Sequence, residues 1–189
     1  MIRLAVLGST RGTNLNALID AIKQQHLAAS VELVLSNKAL APILEKASNF
    51  NLRAVFADPY GLNREEFDLN LSEILHQHQV DFIVLIGYMR ILSAPFVKNW
   101  QNKVINVHPS LLPAYSGLMN LAVHQAVLAA AETETGCTVH FVTEQVDAGP
   151  IILQKKCPVL RSDTPELLQA RVQQLEGTAL IEAIQKITS

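Results

Sequence analysis

The chain has 189 residues, 49% of them hydrophobic and 17% charged, with a formal net charge of −2. This describes a globular protein with one well-filled core. No basic stripe supports a nucleic-acid or membrane surface, and no long charge-free apolar run reads as a membrane span. The opening residues, Met1 to Val6, enter a strand-like run without a signal-peptide pattern, so a cytoplasmic location is expected. The two cysteines, Cys137 and Cys157, lie in strand-like stretches and read as free buried thiols, not as a disulfide or a metal pair.

Apolar runs alternate with helical patterns from the start. Ile2 to Leu7 reads as a buried strand, followed by a Gly/Ser/Thr loop and a helix with Leu15, Leu18, Ile19 and Ile22 on one face. Val31 to Leu35 is a second strand, Pro42 to Asn49 a helix, and Ala54 to Ala57 a short third strand. Arg64 to Gln79 is a helix with Phe67, Leu71, Ile74 and Leu75 inward. Phe82 to Ile86, the most apolar run, predicts a central strand buried on both faces, and Lys103 to Val107 another strand. Beyond these, Leu118 to Ala131 predicts a helix, and Cys137 to Val142 and Ile151 to Pro158 predict two strands. Ser162-Asp163-Thr164 and Pro165 announce a last helix whose apolar face runs Leu168, Val172, Leu175, Ala179. The order implies right-handed crossovers in a mainly parallel sheet, α/β and Rossmann-like, with an antiparallel edge strand in the C-terminal part. No repeat or linker interrupts it, so one domain over 1–189 is expected.

The loop after the first strand, Gly8-Ser9-Thr10-Arg11-Gly12-Thr13-Asn14, could bring backbone N–H groups and Arg11 to an anion at the helix start. It is neither G-x-G-x-x-G nor a P-loop, and the second strand ends in Ser36-Asn37-Lys38 without the acidic residue that would hold a ribose. Phosphate binding and a purely structural tight turn both fit.

Two stretches carry chemistry: Asn106-Val-His108-Pro109-Ser-Leu-Leu-Pro113 and Val146-Asp147-Ala-Gly149-Pro150. Each leaves a β-prone run and breaks at proline, which puts its polar residues at strand ends, where an open α/β sheet builds its site. Strand alternation directs Asn106 and His108 to one side. An amide and an imidazole can stabilise an oxyanion, and a nearby Asp147 carboxylate would raise the imidazole's pKa. The plainer reading, in which His108 and Asp147 cap turns, stays open on spacing alone. His26, His76 and His78 fall on polar helical stretches, His124 reads as a packing or surface residue, and His140 alternates with apolar Val139 and Phe141. No G-x-S-x-G elbow or metal spacing occurs, so direct acyl-type transfer without metal or acyl-enzyme is expected.

These motifs, with Gly136-Cys-Thr138-Val-His140 between them and Ile151-Ile152 after the second, resemble the formyltransferases that use 10-formyltetrahydrofolate. Within that family, Gly12-Thr13-Asn14-Leu15 and Met89-Arg90-Ile91-Leu92-Ser93 resemble the phosphoribosylglycinamide formyltransferase branch of purine biosynthesis. The resemblance implies that Asn106, His108 and Asp147 are catalytic, and that Gly12, Thr13, Asn14 and Glu176 bind the ribonucleotide. It implies that Arg64, Met89, Arg90, Ile91, Leu92 and Asn106 bind folate, and that the single domain has a phosphate- and nucleotide-binding half up to about residue 100 and a catalytic and folate-binding half beyond. Formyl folate and glycinamide ribonucleotide are then the small-molecule substrates, with no metal, nucleic-acid or membrane partner. The segment after Gly117 departs from the family pattern, being two residues longer, with Met119 where a histidine often stands. Relatives with other roles, a formyltetrahydrofolate hydrolase with an N-terminal regulatory domain and a methionyl-tRNA formyltransferase with a C-terminal domain and a basic surface, fit this length and charge less well. A catalytically silent folate-binding module is disfavoured by the intact Asn106, His108 and Asp147.

Overall fold

The structure, a computed structural model, describes residues 1–188. Among them the elements run β1 (Ile2–Leu7), α1 (Thr13–Lys23), β2 (Ala29–Ser36), α2 (Pro42–Asn49), β3 (Ala54–Phe56), α3 (Arg64–Gln77), β4 (Phe82–Leu85) and α4 (Ala94–Asn99). They continue with β5 (Val104–His108), α5 (Leu121–Ala129), β6 (Glu134–Phe141), β7 (Ile151–Pro158) and α6 (Pro165–Thr188). The strands hydrogen-bond in the order β3-β2-β1-β4-β5-β6-β7. This is an α/β fold on a mainly parallel sheet, and β7, antiparallel to β6, is the expected antiparallel edge. The chain condenses into two compact units, Met1–Ile105 and a second beginning at Asn106.

In the first unit β1 pairs in parallel with β2 on one side and β4 on the other, so the order reverses between β1 and β4. At such a switch point the loops leaving the carboxyl ends of the two strands diverge and open a crevice. Leu4 to Leu7 and Phe82 to Leu85 are all buried, as strands covered on both faces require. Each large side chain buried this way contributes about 1.5–3 kcal/mol. Gly12, the N-cap of α1, sits at φ 59° with no side-chain cap, and a Cβ there would lie 2.4 Å from Ile43 Cγ1. Left-handed backbone and close packing thus both require glycine. The first turn of α1 also lacks an acidic residue, so the positive end of its dipole is unopposed from within the helix. Asn63 caps α3 through a reciprocal pair, its Oδ1 accepting from Glu66 N–H at 3.0 Å and its N–H donating to Glu66 Oε2 at 2.9 Å. The short helix α4 was not expected from the sequence. Its six residues, with Pro95 in the first turn, are too few to display a helical period.

In the second unit β6 and β7 pack against α6, and α5 packs on α6. The expected start signals of α6 hold: Thr164 Oγ1 accepts the Leu167 N–H at 3.3 Å and Pro165 opens the helix. Asp163 instead accepts from Leu160 N–H at 2.8 Å and pairs with Arg171, whose Nη2 lies 2.7 Å from Oδ1. Helix α5 starts at Leu121, three residues later than expected, because Gly117 (φ 80°) and Asn120 (φ 53°) hold left-handed backbone that a right-handed helix cannot contain.

His124 of α5 is buried with its Nδ1 lacking a protein partner, and burial pushes its pKa down to about 4. The folded chain therefore keeps this ring neutral while the unfolded chain protonates it near its ordinary value. Stability contributed by the neutral ring is lost as pH falls from about 6.5 towards about 4. Urea denaturation across that window should show His124→Leu losing less stability than the parent chain, by on the order of 2–3 kcal/mol. Parallel pH dependences in the two proteins would refute this.

Candidate active site

Strand β5 ends at His108, one residue beyond the expected Val107 and immediately before Pro109, and Asn106 lies two residues back on the same side. His108 Nδ1 is 3.2 Å from Asp147 Oδ2, and the same oxygen accepts the Gly117 N–H at 2.9 Å. The other carboxylate oxygen, Oδ1, is 3.6 Å from His140 Nε2, too long for a good hydrogen bond. His140 Nδ1 lies 2.9 Å from the Phe141 carbonyl, and its Nε2 lies 3.4 Å from Asn106 Nδ2. Nδ1 donates to the Phe141 carbonyl, and Nε2, which faces both the Asn106 amide and Asp147, accepts from Asn106 in the neutral ring and donates toward Asp147 in the charged one; in either state an N–H of that amide is left for another acceptor. The side chains of His108, His140 and Asp147 are 4%, 3% and 9% exposed, so electrostatic interactions among them are little screened by solvent.

The expected trio of Asn106, His108 and Asp147 is thus brought together, and His140 joins it. The sequence reading set His140 aside because it alternates with apolar neighbours, yet that alternation places it at the end of β6 on the face of Thr138. Asp147 takes left-handed backbone (φ 53°), and a Cβ at Gly149 would lie 1.8 Å from the Phe141 carbonyl oxygen, so only glycine lets the loop fold this close to β6.

The electrostatics differ from expectation at His108. Burial lowers its pKa, and the Asp147 charge and the Tyr115 carbonyl, 3.3 Å from Nε2, only partly offset that. His108 is therefore neutral at neutral pH, and the expected rise is corrected: desolvating the ring outweighs one carboxylate. For Asp147, burial works against the anion, but His140, the Gly117 N–H and His108 outweigh it and hold the carboxyl below its usual range.

The loop after His108 is fastened by Thr138 on β6. Its Oγ1 donates to the Ser110 carbonyl at 2.7 Å and accepts from Leu112 N–H at 3.0 Å and from Gln154 Nε2 at 2.9 Å. Ser110 is fully buried and donates to the Ala114 carbonyl at 2.6 Å, a turn role and not that of a nucleophile. Burial first, then the Glu176 carboxylate on α6, pushes the Cys137 thiol up to about 12, and both cysteines are free and buried. No cluster of three or more His, Cys, Asp or Glu residues among the described ones is arranged to hold a metal ion.

In the first unit, Thr13 and Asn14 begin α1 after Gly12. Arg64 is exposed on the first turn of α3, and residues 89–92 form the loop between β4 and α4, with Ile91 57% exposed and Leu92 buried. That loop is tied to the one after β1: Ser9 N–H donates to the Gly87 carbonyl at 3.0 Å, and Met89 N–H donates to Ser9 Oγ at 2.9 Å.

Residues 2–184 match the family model described as formyl transferase. The chain belongs to that family. It is 41% identical to the phosphoribosylglycinamide formyltransferase of Haemophilus influenzae over 177 residues, 93% of this chain and 82% of that protein. It is 45% identical to the bovine (Bos taurus) trifunctional purine biosynthetic protein adenosine-3 over 188 residues, 99% of this chain but only 18% of that much longer protein. The crystal structure of phosphoribosylglycinamide formyltransferase from Brucella melitensis superposes with a TM-score of 0.93 at 36% identity, covering 100% of this chain and 96% of that one.

For this formyl transferase, the Thr138 junction gives a direct test. Thr138→Val keeps the shape but strands the buried Leu112 N–H, and should cost about 1–3 kcal/mol in denaturant unfolding, with Thr138→Ser milder. A Thr138→Val protein as stable as its parent would show that this hydroxyl does not fasten the loop.

Proposed function

We propose that this formyl transferase moves the formyl group of 10-formyltetrahydrofolate to the amine of glycinamide ribonucleotide, a step of purine biosynthesis. The observation that carries the reading is the buried Asn106–His140–Asp147–His108 cluster in a chain 41% identical to a phosphoribosylglycinamide formyltransferase across 82% of that protein. We assign Gly12, Thr13, Asn14 and Glu176 to the ribonucleotide and Arg64, Met89, Arg90, Ile91, Leu92 and Asn106 to the folate. The uncapped start of α1 supports the phosphate assignment, since its N–H groups and dipole favour an anion. The match over residues 2–184 supports reading the chain as one formyl-transferase domain. No described helix is long and apolar enough to cross a membrane. Soluble small-molecule substrates fit a cytoplasmic enzyme.

The chemistry follows from the charge states. The substrate amine attacks the formyl carbon, the carbonyl electrons move onto oxygen, and the second Asn106 N–H donates to that oxyanion. Neutral His108 accepts the proton released by the amine and becomes an imidazolium, with the Asp147 anion 3.2 Å from Nδ1 to stabilise it. Collapse re-forms the carbonyl and breaks the bond to the folate nitrogen, which takes up the proton. A His108 pKa held below 6.5 by burial keeps the base unprotonated in the resting state.

Tetrahydrofolate release should depend on added glycinamide ribonucleotide. Asn106→Ala and Asp147→Asn should each lower kcat by on the order of 10²–10³ while tetrahydrofolate still binds. Release in water without the ribonucleotide would indicate a hydrolase, and near-parental turnover in either variant would remove the cluster from the chemistry. The rate should fall in acid as His108 protonates, with an inflection below the ordinary histidine value of 6.5. An inflection above that value would contradict a neutral resting His108.

A further inference from the structure

Helix α3 presents Arg64, Phe67, Asp68 and Ser72 along one stripe, at the i, i+3, i+4 and i+8 spacing that lines up one helix face. Asp68 is 1% exposed, and its Oδ2 accepts the main-chain N–H of Ser93 at 2.5 Å. Ser93 is the N-cap of α4, and it closes the loop that runs from Gly87 through residues 89–92. Two turns of α4 later, Ser72 Oγ accepts from Trp100 Nε1 at 2.8 Å and from Asn99 Nδ2 at 3.0 Å. One helix face therefore grips both ends of α4. The Arg90 guanidinium lies 4.3 Å from the centre of the Phe67 ring, beside Asp68, so the loop is also held in its middle. Four buried polar atoms, Asp68 Oδ1, Tyr88 Oη, Arg90 Nε and Ser93 Oγ, have no protein partner. Leaving a carboxylate half-satisfied beside a guanidinium is costly unless its position is constrained by another requirement.

We infer that Asp68 is a positioning residue for folate: it fixes the 89–92 loop through the Ser93 N–H and sets that loop against Arg64 on its own helix. This rests on the assignment of Arg64 and residues 89–92 to folate under the proposed function. Asp68 touches no substrate; it sets the backbone that does. Its carboxyl lies above its usual range because burial dominates, with the Ser93 N–H, Arg90 and Arg64 acting against that rise. The whole arrangement lies within the first unit, so the effect falls on the folate and not on the proton transfer at His108.

The test compares Asp68→Ala, which leaves no acceptor for the Ser93 N–H, and Ser93→Pro with the parent chain. Ser93 has φ −74°, which proline accepts, so Ser93→Pro deletes the N–H from the other side of the same bond. Each variant should raise the folate KM and the tetrahydrofolate Kd about tenfold, the order of one charge-assisted hydrogen bond, with the ribonucleotide KM within about twofold and kcat within about threefold. The double variant should lose little more than either single one, because both remove one interaction. Ser93→Ala, which keeps the N–H, should match the parent. Independently of any ligand, amide hydrogen exchange over residues 89–93 should accelerate in Asp68→Ala while other segments keep the parent rate. Equal rises in both KM values would reduce Asp68 to a structural residue, and an unchanged tetrahydrofolate Kd would overturn the inference. A parent chain that fails to bind tetrahydrofolate at all would overturn the functional reading first, and the inference with it.

Discussion

The buried cluster of Asn106, His108 and His140 depends on one anion. Asp147 reaches its position from a left-handed residue in the loop between β6 and β7, and its two oxygens face His108, the Gly117 N–H and His140. A carboxylate this enclosed stays charged only because these partners replace the water it gave up. Removing one of them would leave the carboxylate short of a donor, a change that typically costs about 1–3 kcal/mol or more for a charged group. The loop's tight path past Phe141, permitted by Gly149, is thus part of the electrostatics. So is the Thr138 junction, because it fastens the segment that carries His108 toward Gly117.

The same burial explains why a base and an anion can face each other without exchanging a proton at rest. Desolvation penalises a charged His108 more than Asp147 favours it, whereas for Asp147 the donors win. The pair is poised to accept one proton, and the imidazolium then formed would have an acceptor at each ring nitrogen, Asp147 on one side and the Tyr115 carbonyl on the other. A general base needs this poise near the working pH. In the first unit the corresponding constraint is mechanical: loops leaving β1 and β4 are stitched to each other through Ser9, and α3 clamps the second of them.

Much of this was legible beforehand. The bounds of β1, α2 and β7 follow from apolar runs ended by Gly, Asn or Pro, and the central, doubly buried character of β4 follows from its unbroken hydrophobicity. The pairing of Asn106 with His108 follows from strand alternation. Three features were not legible. Helix α4 is too short for periodicity, the start of α5 depends on left-handed backbone at Gly117 and Asn120, and His140 carries no local mark separating a site histidine from a core one.

The sequence by itself determined the order of the elements, the strand-end placement of Asn106 and His108, and, through its motifs, the family. These are local properties, read from spacing and turn chemistry. Only the tertiary structure decided that His140 joins the cluster, that His108 rests neutral, and that Asp68 holds the loop before α4. Each of these turns on burial and on partners distant along the chain. Asp68 and Ser93 are 25 residues apart, and Asn106 and His140 are 34 apart. Desolvation and long-range hydrogen bonds exist only once the chain has packed, so neither the charge state nor the positioning role can be read from spacing.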